Sequence, residues 1–163
     1  MKNYHIDIQI ACNDKLPITK QYLKKWAILT LKKHRQQAEL TIRLVTINEI
    51  TTLNHQYRQQ NRPTNILAFP FQGHNVMELK YPLLGDIIIC PAILLQEVEN
   101  QPHHPNIDTA LIIHWAHITI HGILHLLGFD HSDEQETLIM QTEEINLLEI
   151  LNFDNPYQGD HDE

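Results

Sequence analysis

Three histidines stand at offsets 0, 4 and 10 in the stretch His121-Gly122-Ile123-Leu124-His125-Leu126-Leu127-Gly128-Phe129-Asp130-His131. On a helix, His121 and His125 lie one turn apart on a shared face. Gly128 can adopt the positive φ that ends a helix, so the chain can fold back and bring His131 to the same point. A lone histidine on an apolar helix is usually a packing residue, but three at this spacing read as a ligand set. Three neutral imidazoles on Zn²⁺ leave a fourth position open for water, the mark of a catalytic rather than a structural site. Such an ion lowers the pKa of its bound water to ~7 and polarises a phosphoryl oxygen. The reading is therefore one zinc ion held by His121, His125 and His131.

The offsets match the zinc-protease pattern H-E-x-x-H-x-x-G-x-x-H, with one difference. Where a peptidase of that type carries its general-base Glu, this chain has Gly122. Gly122 cannot take a proton from water, so the ligand set is kept and the proteolytic base is not. Asp130 reads as a partner orienting a ligand imidazole, or equally as a turn residue after Gly128. His114 and His117 lie on the side of the helix that carries His121, a turn or two upstream, as substrate contacts, as supports for the ligands or as hydrogen-bonded packing groups. His103 and His104 sit in a Pro-flanked loop and His161 in the tail. Turn or cap roles account for Asn54, Thr64 and Asp86.

The elements that must position these groups follow from periodicity. Tyr4, Ile6, Ile8 and Ile10 alternate with polar residues and predict a strand, as do Leu40, Ile42 and Leu44 within 39–46. Residues 19–33 predict an amphipathic helix, and Asn48 is the expected cap of a short helix ending near Tyr57-Arg58. A loop over 59–65 leads to a strand at 66–69, an excursion loop over 71–83, and an apolar interior strand at 86–90. Pro91 opens a helix to about Asn100, residues 101–105 break the chain, and 107–127 form the long central helix. Ser132 with Gln135 predicts a capping box for a last helix ending near Leu151, with a polar, frayed tail after it. This is an α/β or α+β layer of sheet and helices. A single metal-dependent hydrolase domain covers 1–152, followed by a polar tail over 153–163.

The 163 residues suit one domain, and 42% hydrophobic with 20% charged residues is ordinary for a globular chain. No apolar run is read as approaching the ~18–20 residues of a bilayer span, and the N-terminus shows no secretory h-region, so the expected place is the cytoplasm, with no membrane partner. Cys12 and Cys90 make no disulfide framework, and Cys90 is expected as a buried thiol. The net charge of −8 hides an asymmetry: eleven of the twelve Lys and Arg lie in residues 1–62 against four acids, while 63–163 hold Lys80 against sixteen acids. The first part could offer a basic face to phosphates. A solvated helix surface explains Lys24-Lys25 and Lys32-Lys33 equally well.

The histidine stretch resembles the YbeY family of bacterial rRNA maturation factors, whose signature H-G-x-L-H-L-x-G-[YF]-D-H is filled at every fixed position. Two further stretches look like the same family: Leu53-Asn54 through Tyr57-Arg58 to Pro63-Thr64-Asn65-Ile66-Leu67-Ala68-Phe69-Pro70, and Leu84-Gly85-Asp86-Ile87-Ile88-Ile89-Cys90. The similarity runs from about residue 40 to about 150. It departs at Ala68, where the family often has Ser, and at Asn65, where it often has Asp. The resemblance implies a small mixed four-stranded sheet covered by helices, with the metal-binding central helix against it. It also implies a metal-dependent endoribonuclease specific for single strands, acting in rRNA maturation at the 16S rRNA 3′ end and in ribosome quality control. Its partners would be single-stranded RNA, rRNA, and the ribosomal subunit or ribosomal proteins. Arg58, by spacing alone an exposed helix-end residue, falls where the family has an Arg facing the metal cleft. Arg58 and His121 are thus the catalytic candidates. A zinc peptidase or amidohydrolase, or a non-catalytic assembly factor with a structural metal, are the competing readings.

Overall fold

A computed structural model describes residues 3–71, 82–101 and 106–157. His103, His104, His161 and most of the expected excursion over 71–83 lie outside the described residues. Four strands, β1 Asn3–Ala11, β2 Gln37–Val45, β3 Ile66–Pro70 and β4 Leu83–Ile89, form one sheet in the order β1-β2-β4-β3. β1, β2 and β4 run parallel, and β3 pairs antiparallel to β4, which gives the mixed sheet expected. Among the described residues there are five helices: α1 Lys20–Leu31, α2 Ile47–Arg58, α3 Pro91–Glu99, α4 Ile107–Leu126 and α5 Glu134–Ile150.

The period-2 pattern decides which helix covers which face. Ile6, Ile8, Leu40, Ile42, Leu44, Ile87 and Ile89 pack with α1, α4 and α5 in the main core, where Trp26 and Trp115 are fully buried. Leu67, Ile88 and Val45 point the other way, onto Ile50 of α2 and Cys90. β4 is covered on both faces, which is why its sequence is a continuous apolar run. Ile10 departs from the expected inward alternation: it is exposed near the end of edge strand β1. Cys90 is a buried free thiol, as expected, and Cys12 is also free. Burial raises the proton affinity of both.

Three local expectations are corrected. Thr46, not Asn48, caps α2 by accepting from the Glu49 amide at 3.2 Å. Asp133, not Ser132, caps α5 by accepting from the Glu136 amide at 2.7 Å, while the Ser132 hydroxyl bonds the Glu136 carboxylate. In both cases the residue that accepts from N3 sits one or two positions from the one chosen by pattern. Over residues 153–157 the tail is not frayed: Phe153 packs against the main core and Tyr157 bonds into α5.

By length and apolarity alone, α4 would suffice to cross a bilayer, which the sequence reading did not foresee. Its setting supplies another cause for that apolarity. It is the central helix of the main core, with Trp115, Ala116, Ile120, Ile123 and Leu124 buried against sheet and helices. Where α4 crosses the sheet, a Cβ at Gly122 would stand 2.5 Å from the Ile66 Cδ1 and 3.3 Å from Ile87, so the small residue sets the approach.

Candidate metal centre and active-site cleft

The end of α4 builds the ligand set. The Phe129 amide donates to the Leu124 carbonyl at 3.0 Å, and the Gly128 amide to the His125 carbonyl at 3.1 Å. With Gly128 at φ +104 this is a Schellman stop, and its reversal carries His131 back over the helix end. His121 and His125, one turn apart on α4, place their Nε2 atoms 3.1 Å from each other. The His131 ring lies 5.0 Å from that of His125 and 5.9 Å from that of His121, centroid to centroid. One ligand atom from each of the three lies within 4.8 Å of the others. The expected triad is assembled.

Hydrogen bonds fix the tautomers. His125 Nδ1 faces the Phe129 carbonyl at 3.1 Å; a carbonyl only accepts, so Nδ1 carries the proton. His121 Nδ1 faces Glu144 Oε2 at 3.0 Å. Both Nε2 atoms are then bare lone pairs aimed at one another. Two such pairs at 3.1 Å repel unless a cation lies between them. Tetrahedral zinc with Zn–N of ~2.0–2.1 Å holds its nitrogens about 3.4 Å apart, so the donor set fits a metal. The proton affinity of His125 is lowered by burial first, then by His121 and His131, which keeps its nitrogen open to a cation.

Glu144 is the functional residue the sequence reading missed. It is 1% exposed on α5. Its two oxygens receive His121 Nδ1, His117 Nε2 and the Tyr157 hydroxyl. Burial alone would raise its pKa; the bonds from His117, His121 and Tyr157 together outweigh that and bring it down to about 2. A legible signal was present: Glu144 stands in the buried stripe Met140-Glu144-Leu147-Leu148, where an apolar residue is expected. His117 thus supports a ligand's partner. His114 Nε2 instead bonds Glu97 at 2.8 Å. Asp130, read as an imidazole partner or a turn residue, takes the second role: its Oδ1 accepts from the His131 amide at 2.8 Å.

The triad opens into a cleft of about 620 Å³ lined also by Arg58, Asn65, Ala68, Gly122 and Asp130. Arg58, the last residue of α2, reaches over the free edge of β3 and donates from Nη2 to the Ala68 carbonyl at 2.9 Å. Because that contact uses backbone, the absence of a Ser at 68 does not affect it. Asn65 donates to both oxygens of Glu97, at 3.2 and 3.3 Å, a role an Asp could not fill. Asn54 is buried and holds the Arg62 carbonyl at 2.9 Å, which fixes the loop that follows α2.

A sequence profile described as Endoribonuclease YbeY matches residues 7–152. A protein of Legionella pneumophila named endoribonuclease YbeY is 48% identical over 160 residues, 98% of each chain. One of the same name from Psychromonas ingrahamii is 43% identical, covering 94% of this chain and 95% of its own. A solution structure of a Thermotoga maritima protein is similar with a TM-score of 0.56 and 25% identity, over 89% of this chain and 91% of that one. Profile, near-full-length relatives and the His121-His125-His131 geometry agree that this chain belongs to the YbeY endoribonuclease family.

Proposed function

We propose that the cleft binds one zinc ion on His121, His125 and His131 and cleaves single-stranded ribosomal RNA during rRNA maturation, including the 16S rRNA 3′ end, in contact with the ribosomal subunit. The observation that carries this reading is the pair of bare Nε2 atoms at 3.1 Å inside a cleft walled by an arginine. When bound, the ion supplies Lewis acidity toward a phosphoryl oxygen and acidifies water. The chain's own groups do the rest. Arg58 has Nη2 committed to the Ala68 carbonyl, which orients its plane and leaves the remaining N–H groups for non-bridging phosphate oxygens. Phosphoryl transfer depends mainly on such positioning and charge neutralisation. Among the described residues Asp130 is the one carboxylate in the cleft lining, and it is the candidate to accept a proton from the attacking water. Glu144 holds the His121 tautomer throughout.

Gly122 disfavours the peptidase reading, because it stands where a zinc peptidase of this pattern carries its general-base Glu and has no side chain to take a proton from water. Elemental analysis, combined with cleavage of single-stranded ribosomal RNA by the wild type and His125→Ala, tests the proposal. Zinc near one per chain in the wild type, with loss of both metal and cleavage in the variant, is expected. A metal-free His125→Ala protein that cuts RNA at the wild-type rate overturns it, as does peptide turnover without RNA cleavage.

A further inference from the structure

We infer that Tyr57 and Phe69, beside Arg58, form a stacking subsite for one base of a single-stranded RNA. This rests on the endoribonuclease reading of the cleft and adds the base-binding surface that reading lacks. Tyr57 is 52% exposed, yet its ring is held edge-on to Phe69 at 5.2 Å between centroids and 65° between planes. The Arg58 guanidinium passes 5.4 Å from the centre of the Phe69 ring on its way to the Ala68 carbonyl and the cleft wall. Aromatic shelf, cation and metal cleft are therefore continuous through a single side chain. Phe71 is also exposed and extends the β3 pairing through its amide on the Leu84 carbonyl, so it falls on the Phe69 side of the sheet.

Charge supports the same occupant. In a chain of net charge −8, the run from Ile50 to Phe71 contains no Asp or Glu and carries Arg58 and Arg62. The acid that faces the shelf from the neighbouring strand is Asp86, exposed and directly opposite Phe69. It repels a phosphate and tolerates a neutral base. The backbone phosphate is thus assigned to Arg58 and the base to the Tyr57 ring. Exposed aromatics beside a cation are the usual platform for single strands.

The test uses the metal-loaded full chain and a short end-labelled single-stranded RNA. Binding is read by anisotropy at low temperature before appreciable cleavage, then KM and kcat are measured separately. Tyr57→Ala is expected to weaken binding and raise KM roughly tenfold, with the loss in KM rather than kcat. Tyr57→Phe, which keeps the ring, is expected to restore it, and Tyr22→Ala, an exposed tyrosine on α1, to change nothing. An abasic site scanned along the RNA should weaken wild-type binding at one position and leave Tyr57→Ala indifferent there. Equal binding by wild type and Tyr57→Ala, or Tyr57→Phe as weak as Tyr57→Ala, overturns the subsite. Equal binding by wild type to abasic and parent RNAs means that the shelf takes something other than a base, and overturns it too. Wild-type protein that binds RNA but never cuts it contradicts the nuclease reading instead.

Discussion

At the scale of single residues, the site depends on proton positions. His121 and His125 offer bare Nε2 atoms because Glu144 and the Phe129 carbonyl occupy their Nδ1 protons. Loss of such a support typically costs 10–100-fold in metal affinity. Glu144→Gln is therefore expected to weaken zinc binding about tenfold, measured by chelator competition. The same residue sets an acid limit. Its pKa is about 2 in the folded chain against an ordinary 4.5, so its contribution to stability is present above pH ~4.5 and is lost as pH falls toward ~2. Urea unfolding should show the wild type losing stability over that window more steeply than Glu144→Gln. Arg58 acts by shape as well as charge, so Arg58→Lys is expected to keep the fold and lower kcat/KM at least tenfold, nearly as much as Arg58→Ala. The histidines were legible because their spacing is local. Glu144 was legible only as a carboxylate in an apolar stripe; its pairing with His121 was not, because the packing of α5 on α4 is set by tertiary structure across 23 positions.

At the scale of elements, apolar periods and runs located the strands, α1 and α4, while cap and proline signals located α2, α3 and α5, and the Gly128 stop was legible from residue type. The caps were displaced by one or two positions, since several neighbouring side chains could have accepted the same amide. Strand order was hidden as well: nothing in periodicity says that β4 inserts between β2 and β3. That insertion puts Gly85 opposite Pro70, at φ +141, where a Cβ would stand 2.2 Å from the Phe69 carbonyl oxygen. Both the backbone conformation and the contact with main chain oppose any side chain. Gly85→Ala is expected to destabilise by about 3 kcal/mol or more in chemical denaturation. It should also disturb the β3 edge on which Arg58 rests.

At the scale of the whole molecule, an acidic chain acting on a polyanion leaves the run from Ile50 to Phe71, which carries Arg58, without Asp or Glu. Among the described residues Arg58 is the one Lys or Arg in the cleft lining, so few phosphate contacts are expected. The salt dependence of KM for single-stranded RNA should be shallow, with a log–log slope of about 0.7 to 1.4, corresponding to one or two phosphates. A slope of four or more would place binding on the Lys-rich face of α1 instead. The charge asymmetry along the sequence pointed to that face, and counting charges could not tell a solvated helix from a binding surface. X-ray absorption spectroscopy of the zinc-loaded protein reads whether three imidazoles converge on one ion. Three imidazole nitrogens and one oxygen at ~2.0–2.1 Å are expected; a sulfur neighbour at ~2.3 Å, or fewer than three imidazoles, would contradict a three-histidine site.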